Sequence, residues 1–299
     1  MKIAISGASG FIGSGLVAFF TERGDHVTRI VRSYGGVPHG EATVVWHPQQ
    51  DVIEKAGLEG HDVVIHLAGE SIAGVWTGVK KRKIRESREQ GTSLLARTLA
   101  ALESPPRLLL SGSAMGFYGD RSKTVDESSG AGTGFLAEVA QIWEAATAPA
   151  ERAGIRTVHM RFGNVLHPAG GMLGLLVPLY RLGLGAPFGD GRQPWPWIAR
   201  DDVAPAIVHL IEHEELRGPV NFVAPERVTN GEFTNALAAA VGRPSFLRVP
   251  SFAAKLAPGG MGEAMLLGGA PIAPRRLLES GYTFRWPKLR EALRAMLGR

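Results

Sequence analysis

Gly7, Gly10 and Gly13 recur at intervals of three directly after the apolar run Ile3-Ala4-Ile5. A stretch of helical character follows, from about Gly13 to Arg23. A strand, a tight turn and a helix start in that order aim backbone N–H groups and a positive helix end at one point, where a phosphate is stabilised. Each glycine answers a separate steric demand. Gly7 lets the chain turn sharply, Gly10 lets a diphosphate approach the backbone, and Gly13 lets helix and strand close together. Ser9, Phe11 and Ile12 fall in the same turn and join the candidate cradle. The spacing is G-x-x-G-x-x-G, and Gly makes up 39 of 299 residues, so the position after an N-terminal strand carries the argument rather than the count. The turn reads as a dinucleotide site.

Such a turn needs a sheet to hold it. Strands are predicted over 2–6, 26–31, 43–46, 62–67, 107–112 and 156–161, with helices over 11–23, 78–102 and 135–153. This alternation predicts an α/β chain with a Rossmann-type, doubly wound parallel sheet. Beyond Arg161 the texture changes, with eight glycines between 162 and 196. A helix over 201–213, a strand over 219–223 and a helix over 230–241 follow. These predict a smaller C-terminal substrate lobe over 166–299, some of whose elements return to the sheet of the 1–165 domain.

Composition removes other classes. A chain 44% hydrophobic and 20% charged is globular rather than disordered. The absence of Cys excludes a disulfide framework, a thiol nucleophile and a Cys-ligated metal. Gly7 interrupts the first apolar run too early for a signal-peptide core. Met172–Tyr180 is the most apolar stretch, but Gly174 and Pro178 break it and it is about half a membrane span. A cytoplasmic protein with no membrane partner is expected. The net charge of +5 concentrates in Lys80-Lys81-Arg82-Lys83-Ile84-Arg85, with Arg88 one turn on. Without interleaved aromatics this run reads as a solvated helix face near an anionic cofactor rather than a nucleic-acid surface.

Further segments stand in order: His66-Leu67-Ala68-Gly69, Ser111-Gly112-Ser113 through Tyr118-Gly119, Arg161-Phe162-Gly163-Asn164-Val165-Leu166, Gly189-Asp190-Gly191 and Trp197-Ile198-Ala199-Arg200-Asp201-Asp202. With the glycine turn, they make the chain resemble the extended short-chain dehydrogenase/reductase superfamily. More narrowly it resembles the atypical, nucleoside-diphosphate-sugar epimerase-like branch of unknown substrate. The cues are His66 to Ile72, Arg85-Glu86-Ser87-Arg88, Phe135 to Val139, Val228 to Thr234, and a short C-terminal module from about Val249. The resemblance implies a nicotinamide cofactor across the carboxyl edge of the sheet, with Leu67, Ala68, Gly69, Glu70 and Arg161 among its contacts. It also implies a substrate pocket between sheet and lobe. The second strand closes with Ile30-Val31-Arg32-Ser33 and carries no acid to accept from a ribose 2′-OH. Arg32 offers a charged fork suited to a 2′-phosphate and Ser33 a further hydrogen bond, so NADP(H) is the expected cofactor. If Arg32 is merely solvated, the choice between NADP(H) and NAD(H) stays open.

The superfamily's usual chemistry uses a Tyr as proton carrier and a Lys four residues on that lowers its pKa. The four tyrosines are 34, 118, 180 and 282, followed four residues on by Pro38, Ser122, Leu184 and Trp286. The positions that the pair would occupy hold Leu136 and Ala140, or Phe135 and Val139 one register away. Ser113, at the end of the strand over 107–112, and Tyr118 remain as candidate catalytic residues. Tyr118 reads either as a substitute acid or as a packed residue with a hydrogen-bonded hydroxyl. Glu138 reads either as a buried acid or as an exposed residue. His209-Leu210-Ile211-Glu212-His213 matches the H-x-x-E-H pattern, but the family places this helix at the periphery, and no metal is expected. Asp201-Asp202 are expected to cap the helix they begin. Gln193, Trp195 and Trp197 read as substrate-loop residues, with Trp197 equally a core residue. Two functions stand: an NADP(H)-dependent oxidoreductase or epimerase-like enzyme acting on an unidentified small molecule, or a non-catalytic NADP(H)-binding regulatory or redox-sensing protein. The sequence leaves room for a homodimer.

Overall fold

In the computed structural model, which describes residues 1–33, 40–245, 248–251, 262 and 266–298, alternate side chains of the first strand enter different cores. Ile3 and Ile5 of β1 (Lys2–Ser6) pack on one side and Ala4 on the other. The same split recurs in β5 (Val63–His66), where Val63 and Ile65 oppose Val64, and in β6 (Leu108–Ala114), where Leu108 and Leu110 oppose Leu109. A strand apolar at consecutive positions can be buried only between two helical layers. On the first side lie α1 (Phe11–Glu22) and α6 (Arg200–Glu212), bringing Leu16, Phe20, Ile207 and Leu210. On the other lies α2 (Gly78–Ala100) with Leu94, Leu95 and Leu99.

The remaining sheet strands are β2 (His26–Val31), β3 (Thr43–His47), β4 (Val52–Ile53), β7 (Arg156–Phe162) and β10 (Gly218–Phe222). Their order is β10-β7-β6-β5-β1-β2-β3-β4, parallel throughout except for the short β4. The Rossmann-type parallel sheet predicted from the sequence is present. Strand order reverses beside β1, so the β1–α1 turn opens onto the switch point where α/β sheets bind ligands. β10 lies beside β7 and returns the later part of the chain to the sheet.

The expected helix over 135–153 is two helices, α3 (Phe135–Ala145) and α4 (Ala148–Arg152). Pro149 has no N–H to continue the ladder but is tolerated in a first turn, so the chain restarts there. After β7 come the two-stranded pair β8 (Asn164–Leu166) and β9 (Trp197–Ala199), outside the main sheet, and α5 (Gly171–Arg181) between them. With α7 (Asn230–Val241) and α9 (Leu289–Leu297) they enclose a second core around Leu173, Trp197, Phe233, Leu237 and Leu293. Much of the opening of the module expected from about Val249 lies outside the described residues. The rest of it includes α8 (Arg275–Glu279).

Asp202 does not cap α6. Ala199 occupies the cap position, and Asp202 is fully buried in the first turn. Its carboxylate accepts from the Arg285 and Trp286 amides at 2.7 and 3.1 Å, and its backbone oxygen accepts from the Tyr282 hydroxyl at 3.0 Å. Among the described residues no helix is long and apolar enough to cross a membrane.

Candidate functional site

The β1–α1 turn is tight because side chains are missing where it is crowded. Gly7 has φ +69°, a conformation that L side chains rarely adopt. A Cβ there would lie 2.8 Å from the Leu67 carbonyl carbon and 2.9 Å from the Ala68 amide nitrogen. A Cβ on Gly13 would overlap the Gly7 carbonyl oxygen. Gly10 donates its N–H back to Gly7 O at 2.9 Å and begins α1 without any side-chain cap. The first-turn amides of Phe11, Ile12 and Gly13 therefore keep the free donors of an uncapped helix. Ser9 and Gly10 are exposed beside them.

Strand pairing brings the other expected cofactor contacts to this turn. Register places Ser6 opposite Ile30 and His66, so Arg32–Ser33 and Leu67–Ala68 emerge on either side of Gly7. Arg32 and Ser33 are exposed. Glu70 holds Lys80 at 2.6 Å, and that bond, with the charges of Lys83 and Arg32, keeps its carboxyl below the usual range. Below the rim His66 is fully buried, bonded to Ser6 Oγ at 2.6 Å and Thr92 Oγ1 at 3.0 Å. Burial, and then the charge of Arg88, pull its pKa down to about 4.

The structure places Ser113, Tyr118 and Arg161 together, in an internal network. Ser113 Oγ donates to Glu144 Oε1 at 2.6 Å. Arg161 grips the same carboxylate with Nε at 2.7 Å and Nη2 at 2.8 Å, and its guanidinium lies 3.4 Å from the centre of the Phe117 ring. Arg161 Nη1 donates to the Tyr118 hydroxyl at 2.9 Å, which donates to Asn221 Oδ1 at 2.7 Å. The Asn221 amide donates to Glu127 at 2.9 Å and its side-chain nitrogen to Ala273 O, tying the network to the C-terminal module. Arg161 was expected at the cofactor. Here about 3% of its surface is exposed and its fork is closed on Glu144, within the network. Burial pushes the Tyr118 phenol above its ordinary pKa, the wrong direction for a proton carrier near neutrality. Of the two readings of Tyr118, the packed residue fits these contacts.

Other expectations resolve simply. Glu138 is exposed and pairs with Arg85 at 3.3 Å. His209 and His213 stack at 3.7 Å, and His209 bonds Ser280. Trp197 is core, and Trp195 is buried against Phe233. Gln193 Nε2 donates to Phe188 O and Leu266 O. The basic run is the first turns of α2, where Lys80, Arg82 and Arg85 pair with Glu70, Glu86 and Glu138. Sequence reasoning passed over Glu144, Asn221, Glu127 and Trp143. Trp143 and Glu144 are neighbours on α3, but Glu127 and Asn221 lie far from them in the chain, and only the packing around β6, β7 and β10 brings the network together.

Residues 3–223 match the model of the NAD dependent epimerase/dehydratase family. The chain belongs to that family. Residues 249–296 of this family member also match a domain of unknown function, DUF1731. The epimerase family protein Mb2239 of Mycobacterium bovis is 40% identical over 293 residues, covering 97% of this chain and 96% of that protein. The crystal structure of human epimerase family protein SDR39U1 (isoform 2) with NADPH superposes with a TM-score of 0.90 at 32% identity, covering 100% of this chain and 99% of that one. A nucleoside-diphosphate sugar epimerase from Corynebacterium glutamicum superposes at 0.81 with 35% identity, over 100% of this chain and 58% of that one.

Proposed function

We propose that this family member binds NADP(H) across the β1–α1 turn and acts on an unidentified small molecule as an oxidoreductase or epimerase-like protein lacking the Tyr-x-x-x-Lys pair. The carrying observation is the turn, where side chains are excluded at Gly7 and Gly13 and the start of α1 is uncapped. A diphosphate fits that donor set. Arg32 and Ser33, exposed at the end of β2, would hold the 2′-phosphate, and Leu67 to Glu70 would flank the dinucleotide along the sheet edge. The NADPH in the crystal structure of the human relative supports the choice of cofactor. When bound, the nicotinamide supplies a hydride donor or acceptor, while the protein orients it and sets the local field. NADPH fluorescence titration tests the reading. Arg32→Ala should weaken NADPH more than NADH by about 1–3 kcal/mol, the value of a charged hydrogen bond. Equal losses for both cofactors reject the 2′-phosphate role.

One observation favours a second reading, a non-catalytic NADP(H)-binding regulator or redox sensor. The Ser113 and Tyr118 hydroxyls both donate inside the protein, to Glu144 and Asn221. Screening carbonyl compounds and nucleotide sugars for NADPH turnover separates the two. If turnover is found and survives Tyr118→Phe and Ser113→Ala, neither hydroxyl belongs to the chemistry.

A further inference from the structure

Beside the carboxyl ends of β5 and β6, Arg88 and Trp143 hold N–H donors that no acceptor among the described residues meets. Arg88 reaches from α2 to this edge, and its Nη1 donates to Glu70 O at 3.0 Å and Ile84 O at 3.1 Å. Its Nε and Nη2 make no hydrogen bond, and no carboxylate pairs with it among the described residues. Its guanidinium lies 4.7 Å from the ring centre of Trp143 on α3. Trp143 is itself buried, and among the described residues its Nε1–H is without a partner.

Two glycines let these groups pack against the sheet edge. A Cβ on Gly69 would touch Arg88 Cζ at 3.4 Å, and one on Gly112 would strike Trp143 Cζ2 at 2.8 Å. Gly69 follows directly on Leu67–Ala68, the pair pressed against Gly7, so Arg88 stands beside the cradle for the dinucleotide. Burial lowers the Arg88 pKa only to about 10, and the group keeps its charge at neutral pH. A half-buried cation with two unused donors, beside a buried N–H without a partner, stabilises an anion that supplies the acceptor.

We propose that Arg88 and Trp143 form an anion subsite for a substrate carboxylate, beside the proposed NADP(H) cleft and resting on that reading. Arg88 Nε–H and Nη2–H share one edge of the guanidinium, a fork that matches the two oxygens of one carboxylate, each accepting at about 2.9 Å, and the Trp143 ring lies beside that guanidinium. A phosphate, with three exposed oxygens, calls for more donors than this fork supplies.

The test is calorimetric titration of the intact protein, with and without saturating NADPH. The probes are oxamate and malonate, with neutral acetamide and inorganic phosphate as comparisons. Wild type should bind the carboxylates at least 10-fold more tightly than acetamide or phosphate. Arg88→Gln should remove that preference, and Arg88→Lys should restore part of it. Trp143→Phe, which keeps the ring and deletes the N–H, should weaken oxamate about 5-fold, equivalent to about 1 kcal/mol. NADPH affinity, measured separately, should change less than 2-fold in each variant. Carboxylates no tighter than acetamide, phosphate tighter than both carboxylates, or an Arg88→Gln protein that folds and binds oxamate normally would each overturn the subsite. Carboxylate binding that follows this pattern in a protein that ignores NADPH would instead overturn the cofactor reading alone.

Discussion

Gly10 and Gly13 lie one helical turn apart, yet substitution by alanine should do opposite things to fold and ligand. At Gly10 the backbone has φ −74°, ordinary for alanine, and the added methyl would meet only Gly7 O, at 3.1 Å. Gly10→Ala should therefore leave stability within about 1 kcal/mol of wild type. That methyl stands on the exposed side of the turn, where the diphosphate must approach. Displacing a phosphate from one or two helix-terminal amides forfeits about 1.5–3 kcal/mol, so NADPH should weaken about 10- to 100-fold. At Gly13 the methyl would instead lie 2.8 Å from Gly7 C and 3.0 Å from Ala8 Cα, all backbone. Ordinary carbon contacts are about 3.5–4.0 Å, so α1 must retreat from β1 by more than half an ångström, at about 1–3 kcal/mol. Differential scanning calorimetry and NADPH titration read the two quantities separately. A Gly10→Ala protein with normal thermal stability and normal NADPH affinity would show that no phosphate sits on this turn. A Gly13→Ala protein as stable as wild type would refute the packing argument.

Two further results are expected. Glu144→Ala leaves the Arg161 guanidinium buried without its carboxylate and should cost about 3–5 kcal/mol in urea unfolding, with Glu144→Gln milder. His66, with its pKa pulled from 6.5 to about 4, stays neutral in the folded protein while the unfolded chain takes up a proton. Stability should therefore fall as pH drops from about 6.5 to 4, by about 3 kcal/mol from this group. Urea midpoints across that range should slope less steeply in His66→Gln, and an unchanged slope would place the titration elsewhere.

The sheet was legible because its signals are local. Alternating faces such as Ile3/Ala4/Ile5 and the glycine turn need no partner to be recognised, and the predicted strands fall within two residues of the observed ends. Asp202 was misread for the converse reason. An acid at a helix start looks like a cap, and nothing nearby announces that amides some 80 residues on will claim it. The bond of Arg161 to Glu144 was hidden likewise, since the packing of α3 on β6 sets it. Arg88 could be seen only as part of a charged run. That it forms no ion pair among the described residues is a property of the packed α2–α3 surface.

The hold of Asp202 on Arg285 and Trp286 makes α6 depend on residues late in the chain. A chain cut before residue 282 would leave the buried Asp202 carboxylate of α6 without the Tyr282, Arg285 and Trp286 donors that now meet it. The segment over 282–286 therefore completes α6, since a buried carboxylate without donors is costly.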